Sequence, residues 1–426
     1  MRKIRGGRIA VAALAGMAGL LAGSAAARAD QSLGDAIRSG APIVDIRARY
    51  ETVDDDSKTR SGDAKTIRAR LGYETGVWNG LSLAFDIDAV VVDPSHHNDT
   101  RNGKTLFPTI ADPAMTTLNR LQLSYATGFD TSIVLGRQRL QFGDQRFIGN
   151  SGWRQHEQTY DALTLVNRSV KDLTLTYSYV AHVNRVFGPH QPIPASGSIG
   201  GFDSGSHLFN AVYTGLPGLR LESYAYLLRL SQHGPAAAVL ATSKLSTATF
   251  GARAEYRFDL AAGLSTQVNG EYAHQSDFAN NPVSIDLNYG LGEASLGYRG
   301  FTALAGYEAL SGNGTTGFST PLASLHPFNG WADLFLTTPT NGLDDFYLKA
   351  SYAVPDILGT KSLTAVLTHH DFASDRTGAS LGTEWDASLE LAVDKNWSVL
   401  AKYAGYDGGG GLKDKTVGWL QIAFEL

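Results

Sequence analysis

The chain has 426 residues, 43% of them hydrophobic and 18% charged, with 47 glycines, 18 tyrosines and no cysteine. The missing cysteine excludes a disulfide scaffold, a cysteine nucleophile and thiolate metal sites. The formal net charge of −5 excludes nucleic-acid binding through bulk basicity.

The first segment reads as an export signal. Arg2, Lys3, Arg5 and Arg8 form a basic start, Ile9–Leu21 an apolar core, and Ala27-Arg28-Ala29 a small-x-small cleavage site. Removing residues 1–29 takes away five basic and no acidic side chains, so 36 − 5 = 31 basic face 41 acidic, a net of −10. Residues 30–426 are then a single exported domain, and export without cysteine suits a Gram-negative periplasm or outer membrane.

No later run approaches the roughly twenty apolar residues of a membrane-spanning helix. Alternation with a period of two recurs instead. Ile67, Ala69, Leu71 and Tyr73 oppose Arg68, Arg70 and Glu74, and Leu81, Leu83, Phe85 and Ile87 oppose Ser82, Asp86 and Asp88. The same pattern sets Phe250, Ala252, Ala254, Tyr256 and Phe258 against Arg253, Glu255 and Arg257. It continues to the end, where Leu420, Ile422 and Phe424 oppose Gln421 and Glu425.

Loop lengths separate a membrane barrel from a soluble sandwich. Short connections near Gly76–Gly80, Arg168–Asp172 and Arg299–Gly300 alternate with long ones near Asp93–Thr116, Gly143–Gln158 and Gly312–Gly342. About eighteen strands result, with tight turns on one side and long loops on the other, as a transmembrane antiparallel β-barrel requires. In hydrocarbon every backbone group must be paired, and a closed barrel pairs them without an edge. An arginine turned to mid-bilayer lipid would cost about 2–4 kcal/mol, so the apolar faces look outward and the charged faces line a wet lumen. Trp78, Trp397 and Trp419 are expected in interfacial aromatic girdles.

Several segments resemble the bacterial alginate-export family of outer-membrane barrels. They are Leu135-Gly136-Arg137-Gln138, Gln145-Arg146-Phe147-Ile148-Gly149-Asn150, Gly152-Trp153-Arg154-Gln155, Ile110-Ala111-Asp112-Pro113, Phe318-Ser319-Thr320-Pro321-Leu322 and Phe328-Asn329-Gly330-Trp331-Ala332-Asp333. The resemblance implies an eighteen-stranded porin-like barrel, passage of alginate-like anionic oligo- or polysaccharide through an arginine-rich constriction, and periplasmic export components as partners. The chain departs from the family in ending on Leu426 rather than an aromatic residue.

The residues themselves nominate a lumen. Arg47, Arg49, Arg68 and Arg70 fall on the inward faces of the first two strands, and Arg137, Arg139, Arg146 and Arg154 on the fifth strand and its following loop. Asp161 is expected as an ion-pair partner or cation-steering group. Guanidinium forks suit carboxylates, and charged rings select ions. The same arginines also fit cross-strand ladders with Asp45, Glu51, Glu74, Asp86 and Asp88 that brace the wall. The alternative cargo is small nutrients, taken up through a general or carboxylate-selective porin. The Gly312–Gly342 loop, with Asp333 its only acid and no Lys or Arg, is too apolar to lie free in solvent and is expected to fold inward.

Catalytic and metal readings fail. Ser178 and His182 share a strand about 13 Å apart, too far for proton transfer. The pairs His96-His97 and His369-His370 point to opposite faces of a strand and cannot share a metal. No enzyme activity and no cofactor are expected.

Overall fold

The computed structural model describes residues 32–93, 96–188, 200–232, 236–357 and 359–426. The expected signal segment, 1–29, lies outside them.

A short helix, α1 (Leu33–Arg38), opens the described chain, held by a capping box between Ser32 and Asp35. It sits under the first tight turn, where the Gly76 N–H donates to the Ala36 carbonyl at 2.8 Å. The wall then begins with β1 (Ala41–Asp55), β2 (Gly62–Glu74), β3 (Leu81–Val92), β4 (Met115–Ala126), β5 (Thr131–Gln138) and β6 (Thr159–Asn167). It continues through β7 (Leu173–Asn184), β8 (Gly201–Leu216), β9 (Leu219–Leu227), the two-residue β10 (Leu230–Ser231), α2 (Ala236–Ser243), β11 (Thr247–Ala261) and β12 (Leu264–Asp277). The last strands are β13 (Asp286–Tyr298), β14 (Phe301–Leu310), β15 (Leu343–Pro355), β16 (Ser362–Ala373), β17 (Ser380–Ala392), β18 (Trp397–Gly408) and β19 (Lys415–Glu425).

Every pairing is antiparallel, and β1 pairs with both β2 and β19, so the sheet closes on itself. The short β10 continues β9 along β8 and leaves eighteen long strands. The expected connection parity holds around the circuit: turns such as 217–218, 262–263 and 299–300 alternate with loops such as 93–114, 139–158 and 311–342.

Burial is inverted relative to a soluble protein. Ile67, Leu71 and Leu420 are exposed at 49%, 54% and 59%, while Arg68, Arg70, Asp86 and Asp88 are all at 4% or less. Period-two alternation produces this directly, because neighbouring residues of a strand point to opposite faces. Trp397 keeps its expected outward place, tilted against Phe424 with ring centroids 5.0 Å apart. Trp419 does not. It lies one residue out of phase with the outward Leu420 and Ile422, so it points into the lumen and is buried there.

The core is inside the barrel. Loops 139–158 and 311–342 enter the lumen and meet at a parallel bridge between Ile148 and Leu322. Ile148, Phe318 and Leu322 are fully buried, and Phe147 packs on Tyr224 and Tyr289 of the wall at ring distances of 5.2 and 5.3 Å. The expected inward folding of the Gly312–Gly342 loop is therefore what the structure contains.

Candidate functional site: a charged lumen gathered by three loops

The register of β1 and β2 sets Arg47 opposite Arg68 and Asp45 opposite Arg70, all facing inward. Two guanidiniums directly across a strand pair repel. The loop 139–158 resolves this by laying acceptors over them. Arg47 donates to Gln155 Oε1 at 3.0 Å, to the Gly152 carbonyl at 3.1 Å and to the Arg154 carbonyl at 2.5 Å. Arg68 pairs with Asp45 and reaches the Gln155 carbonyl at 3.5 Å. Arg70 clasps Asp88 through two bonds of 2.6 and 2.9 Å and also binds Glu157 at 2.7 Å.

Glu157 is the acid that collects this side of the lumen, since Arg139 reaches it as well at 2.5 Å. Burial by itself would raise its carboxyl, but Arg139 and Arg70 outweigh burial and hold it well below the usual carboxylate range. A bulge in β4 turns Asn119 and Arg120 together onto Asp86, which adds one more guanidinium to the wall.

A second centre joins loops 93–114, 139–158 and 311–342. Asp112 accepts the Gln155 N–H at 2.7 Å and lies 3.8 Å from both Arg49 and Arg154. Burial opposes its ionisation, yet Arg154 and Arg49 bring its carboxyl below the ordinary value. Arg154 also binds Asp333 at 2.9 Å and Glu51 at 3.3 Å. The Arg49 guanidinium lies 4.0 Å over Trp153, whose ring stacks on His326 at 4.5 Å. His326 Nδ1 faces Asp333 at 2.8 Å and its Nε2 faces the Lys402 ammonium at 2.6 Å. An ammonium has no lone pair to offer, so Nε2 accepts and Nδ1–H donates to Asp333. Burial first, and then the Lys402 charge, push the His326 imidazole down to about 3.

A third contact seats the inner loop on the wall. Arg146 binds Glu308 at 2.7 Å and Asn329 at 2.9 Å, and Asn329 donates to Glu308 and Asp345 at 2.6 and 3.1 Å. The Ala332 and Trp331 N–H groups donate to Glu384 at 2.7 Å and Asp386 at 3.1 Å. Gly330 has φ +83, and a Cβ there would come within 2.4 Å of Glu384 Oε2, so the turn requires glycine.

Of the nine nominated residues, Arg47, Arg49, Arg68, Arg70, Arg139, Arg146 and Arg154 face the lumen or its loops. All seven already hold carboxylate or carbonyl partners, so the bracing role is realised in the geometry. Asp161 is an ion-pair partner as expected, but the pore-lining place of Arg137 and Asp161 is corrected. They pair bidentately at 2.7 and 3.0 Å, but Arg137 stands in register with the exposed Leu121, and Leu121 with the exposed Phe85. Directly opposed residues share a face. That pair is therefore on the outer wall, whereas Arg139, beyond the end of β5 at Gln138, leaves the sheet and turns in.

Glu157, Asp112, His326, Lys402, Glu308 and Arg120 were not nominated. Asp112 lies within one of the quoted motifs. Glu157 meets Arg70, His326 meets Lys402 and Glu308 meets Arg146 across separations of 87, 76 and 162 residues, and Arg120 depends on a bulge. The nearer pairs Glu157–Arg139 and His326–Asp333, 18 and 7 residues apart, lie in irregular loops where spacing sets no face. The adjacent His369 and His370 do diverge: one meets the outward Trp385 at 4.5 Å, the other Asp345 inside at 2.9 Å. Among the described residues no group of three His, Asp or Glu side chains is arranged to hold a metal.

No family model and no curated protein matches this chain. Solved structures do. Pseudomonas aeruginosa OpdL superposes with a TM-score of 0.65 at 15% identity, covering 91% of this chain and 99% of OpdL. OpdK of the same organism, solved with vanillate, gives 0.66 at 14% identity, covering 92% and 99%. OccAB2 of Acinetobacter baumannii gives 0.67 at 14% identity, covering 92% and 98%. The fold is that of outer-membrane porins. The likeness keeps the coarser part of the family resemblance, a porin-type barrel, and carries nothing of alginate export. The closed wall and its apolar outer surface are those of an outer-membrane protein.

Proposed function

We propose that the barrel is a passive outer-membrane channel for small anionic solutes, carboxylates above all. The observation that carries this reading is the gathering of six guanidiniums, from β1, β2 and loop 139–158, on one side of a lumen narrowed by two inward loops. Arg139 and Arg154 keep 20% and 15% of their side chains open, so they can offer donors while braced by their own acids. The inward loops disfavour a bulky hydrated polymer and favour small solutes over alginate-like polysaccharide. The vanillate in OpdK, an aromatic carboxylate, supports the same class of solute. Selection needs no cofactor and no covalent step, only charge at close quarters.

The test is single-channel recording of the mature protein in planar bilayers under a salt gradient. Anion preference with block by small aromatic carboxylates is expected, together with indifference to uronate oligomers. Cation preference would overturn the reading, and tight block by uronate oligomers would return the polysaccharide cargo.

A further inference from the structure

The lumen arginines described above spend their donors on the protein's own acids and carbonyls, but Lys349 of β15 does not. Phe346 and Leu348 face lipid at 47% and 51% exposure, so Asp345, Tyr347 and Lys349 between and beside them face the lumen. Among the described residues the Lys349 ammonium has no hydrogen bond and no ion pair. The two acids whose charge reaches it are engaged elsewhere. Glu293 accepts from the Tyr347 hydroxyl at 2.7 Å and from Asn269 at 2.8 Å. Asp386 accepts the Trp331 N–H at 3.1 Å and stands two strands away across Thr368, about 10 Å by strand spacing.

Its position gives this free cation a use. Asp345, near the outer end of β15, is covered by Asn329 of the inner loop. Lys349 lies four residues further toward the tight turn, about 13 Å along the strand. It is exposed there, below the seat of the loop, where a solute that has passed the loop meets it. Its surroundings are neutral and partly apolar. Leu304 of β14 is directly opposite Lys349, and Val366 of β16 is opposite Ser351, the next lumen-facing residue of β15. Directly opposed residues share a face, so Leu304 and Val366 bring hydrocarbon into an otherwise polar lumen on either side of the lysine.

We propose that Lys349, Leu304 and Val366 form a solute station below the constriction, with Lys349 the residue that selects. The ammonium takes the carboxylate of a small amphiphilic solute, and the two apolar side chains take its hydrocarbon body. This assignment rests on the channel reading above and adds a second contact to it. An arginine of the braced cluster must loosen an acid to bind a passing carboxylate, whereas Lys349 exchanges only water. Its compact charge on a flexible stem holds without the bidentate fork of a guanidinium, and conduction needs a site that also lets go. Chloride gains the charge alone; a carboxylate with an apolar body gains both contacts.

The test is block of single-channel current by benzoate in planar bilayers, with permeability ratios recorded in potassium chloride on the same channels. Lys349→Gln should weaken benzoate block about tenfold, as the loss of a hydrogen bond to a charged group does, and should lower the anion-to-cation ratio. Lys349→Arg should restore both. The urea midpoint of Lys349→Gln should match that of the wild type, because no side chain loses a partner. Leu304→Ser should weaken block by benzoate by a larger factor than block by formate, which has no apolar body. Wild-type block that Lys349→Gln leaves intact would overturn this station and leave the channel reading standing. A wild-type channel that prefers cations and ignores benzoate would overturn the channel reading and the station with it.

Discussion

At the scale of single residues, His326 joins the inner loop to the wall through two bonds that only a neutral imidazole can make. It accepts from Lys402 and donates to Asp333. Its folded value near 3 lies below the ordinary 6.5, so over the range between them a released loop binds a proton that the seated loop refuses. Seating is therefore fully stable above about pH 6.5 and weakens as pH falls, by about 1.4 kcal/mol per unit for this group. Asp333, held below the carboxylate range against burial by His326 and Arg154, adds to the same direction below about pH 4. Conductance noise or protease nicking of the loop should rise between pH 7 and pH 4, and His326→Gln should flatten that dependence. Gly330→Ala should unseat the loop tip even at neutral pH, because both its φ and its approach to Glu384 exclude a Cβ. An increase in open-state conductance is the expected readout. Residue-scale reading of the sequence was reliable wherever alternation ran undisturbed, as at Arg47, Arg49, Arg68 and Arg70. It failed at Arg137, whose apparent companion Arg139 is inward only because the strand stops between them.

At the scale of elements, the two inward loops form the core of a protein whose wall has none of its own. Loop 139–158 quiets the arginines of β1 and β2, and loop 311–342 lays its apolar side chains against loop 139–158 and the tyrosines of the wall. Arg146 joins loop 139–158 to Glu308 of β14 and to Asn329 of loop 311–342, all three side chains buried. Removing one partner leaves a buried charge, so Glu308→Ala should destabilise the folded barrel by about 3–5 kcal/mol in urea titrations. Deleting Thr315–Thr338 should raise single-channel conductance, since those residues occupy lumen volume; unchanged conductance would place the constriction elsewhere. That this loop folds inward was legible from its composition, eight large apolar side chains around a single acid. Its landing place was not, because Glu308, Glu384, Asp386 and Lys402 come from three different wall strands, β14, β17 and β18, that only barrel closure brings to one side.

At the scale of the whole molecule, the wall separates two dielectric environments, and each strand serves both. The outward face must satisfy hydrocarbon and the inward face must neutralise charge. The acids Asp45, Asp86, Asp88, Glu157 and Glu308 do so for the guanidiniums. Neutralising Arg139 and Arg154 together, as Gln, should shift the reversal potential away from anions, and should also lower stability in urea because Glu157, Glu51, Asp112 and Asp333 lose a cationic partner. If selectivity does not move, the open parts of these two side chains do not filter.

The amino-acid order by itself determined the strand number, the inside-out alternation and the parity of turns and loops. These follow from local rules: neighbouring residues of a strand point apart, and a membrane accepts only a closed wall. The tertiary structure alone decided which charges meet. Partners such as Arg146 and Glu308, or Arg154 and Asp333, lie far apart in the chain and touch only after the barrel closes and the loops fall inside. It also decided the faces at strand ends and bulges, where one extra or missing residue exchanges lumen for lipid.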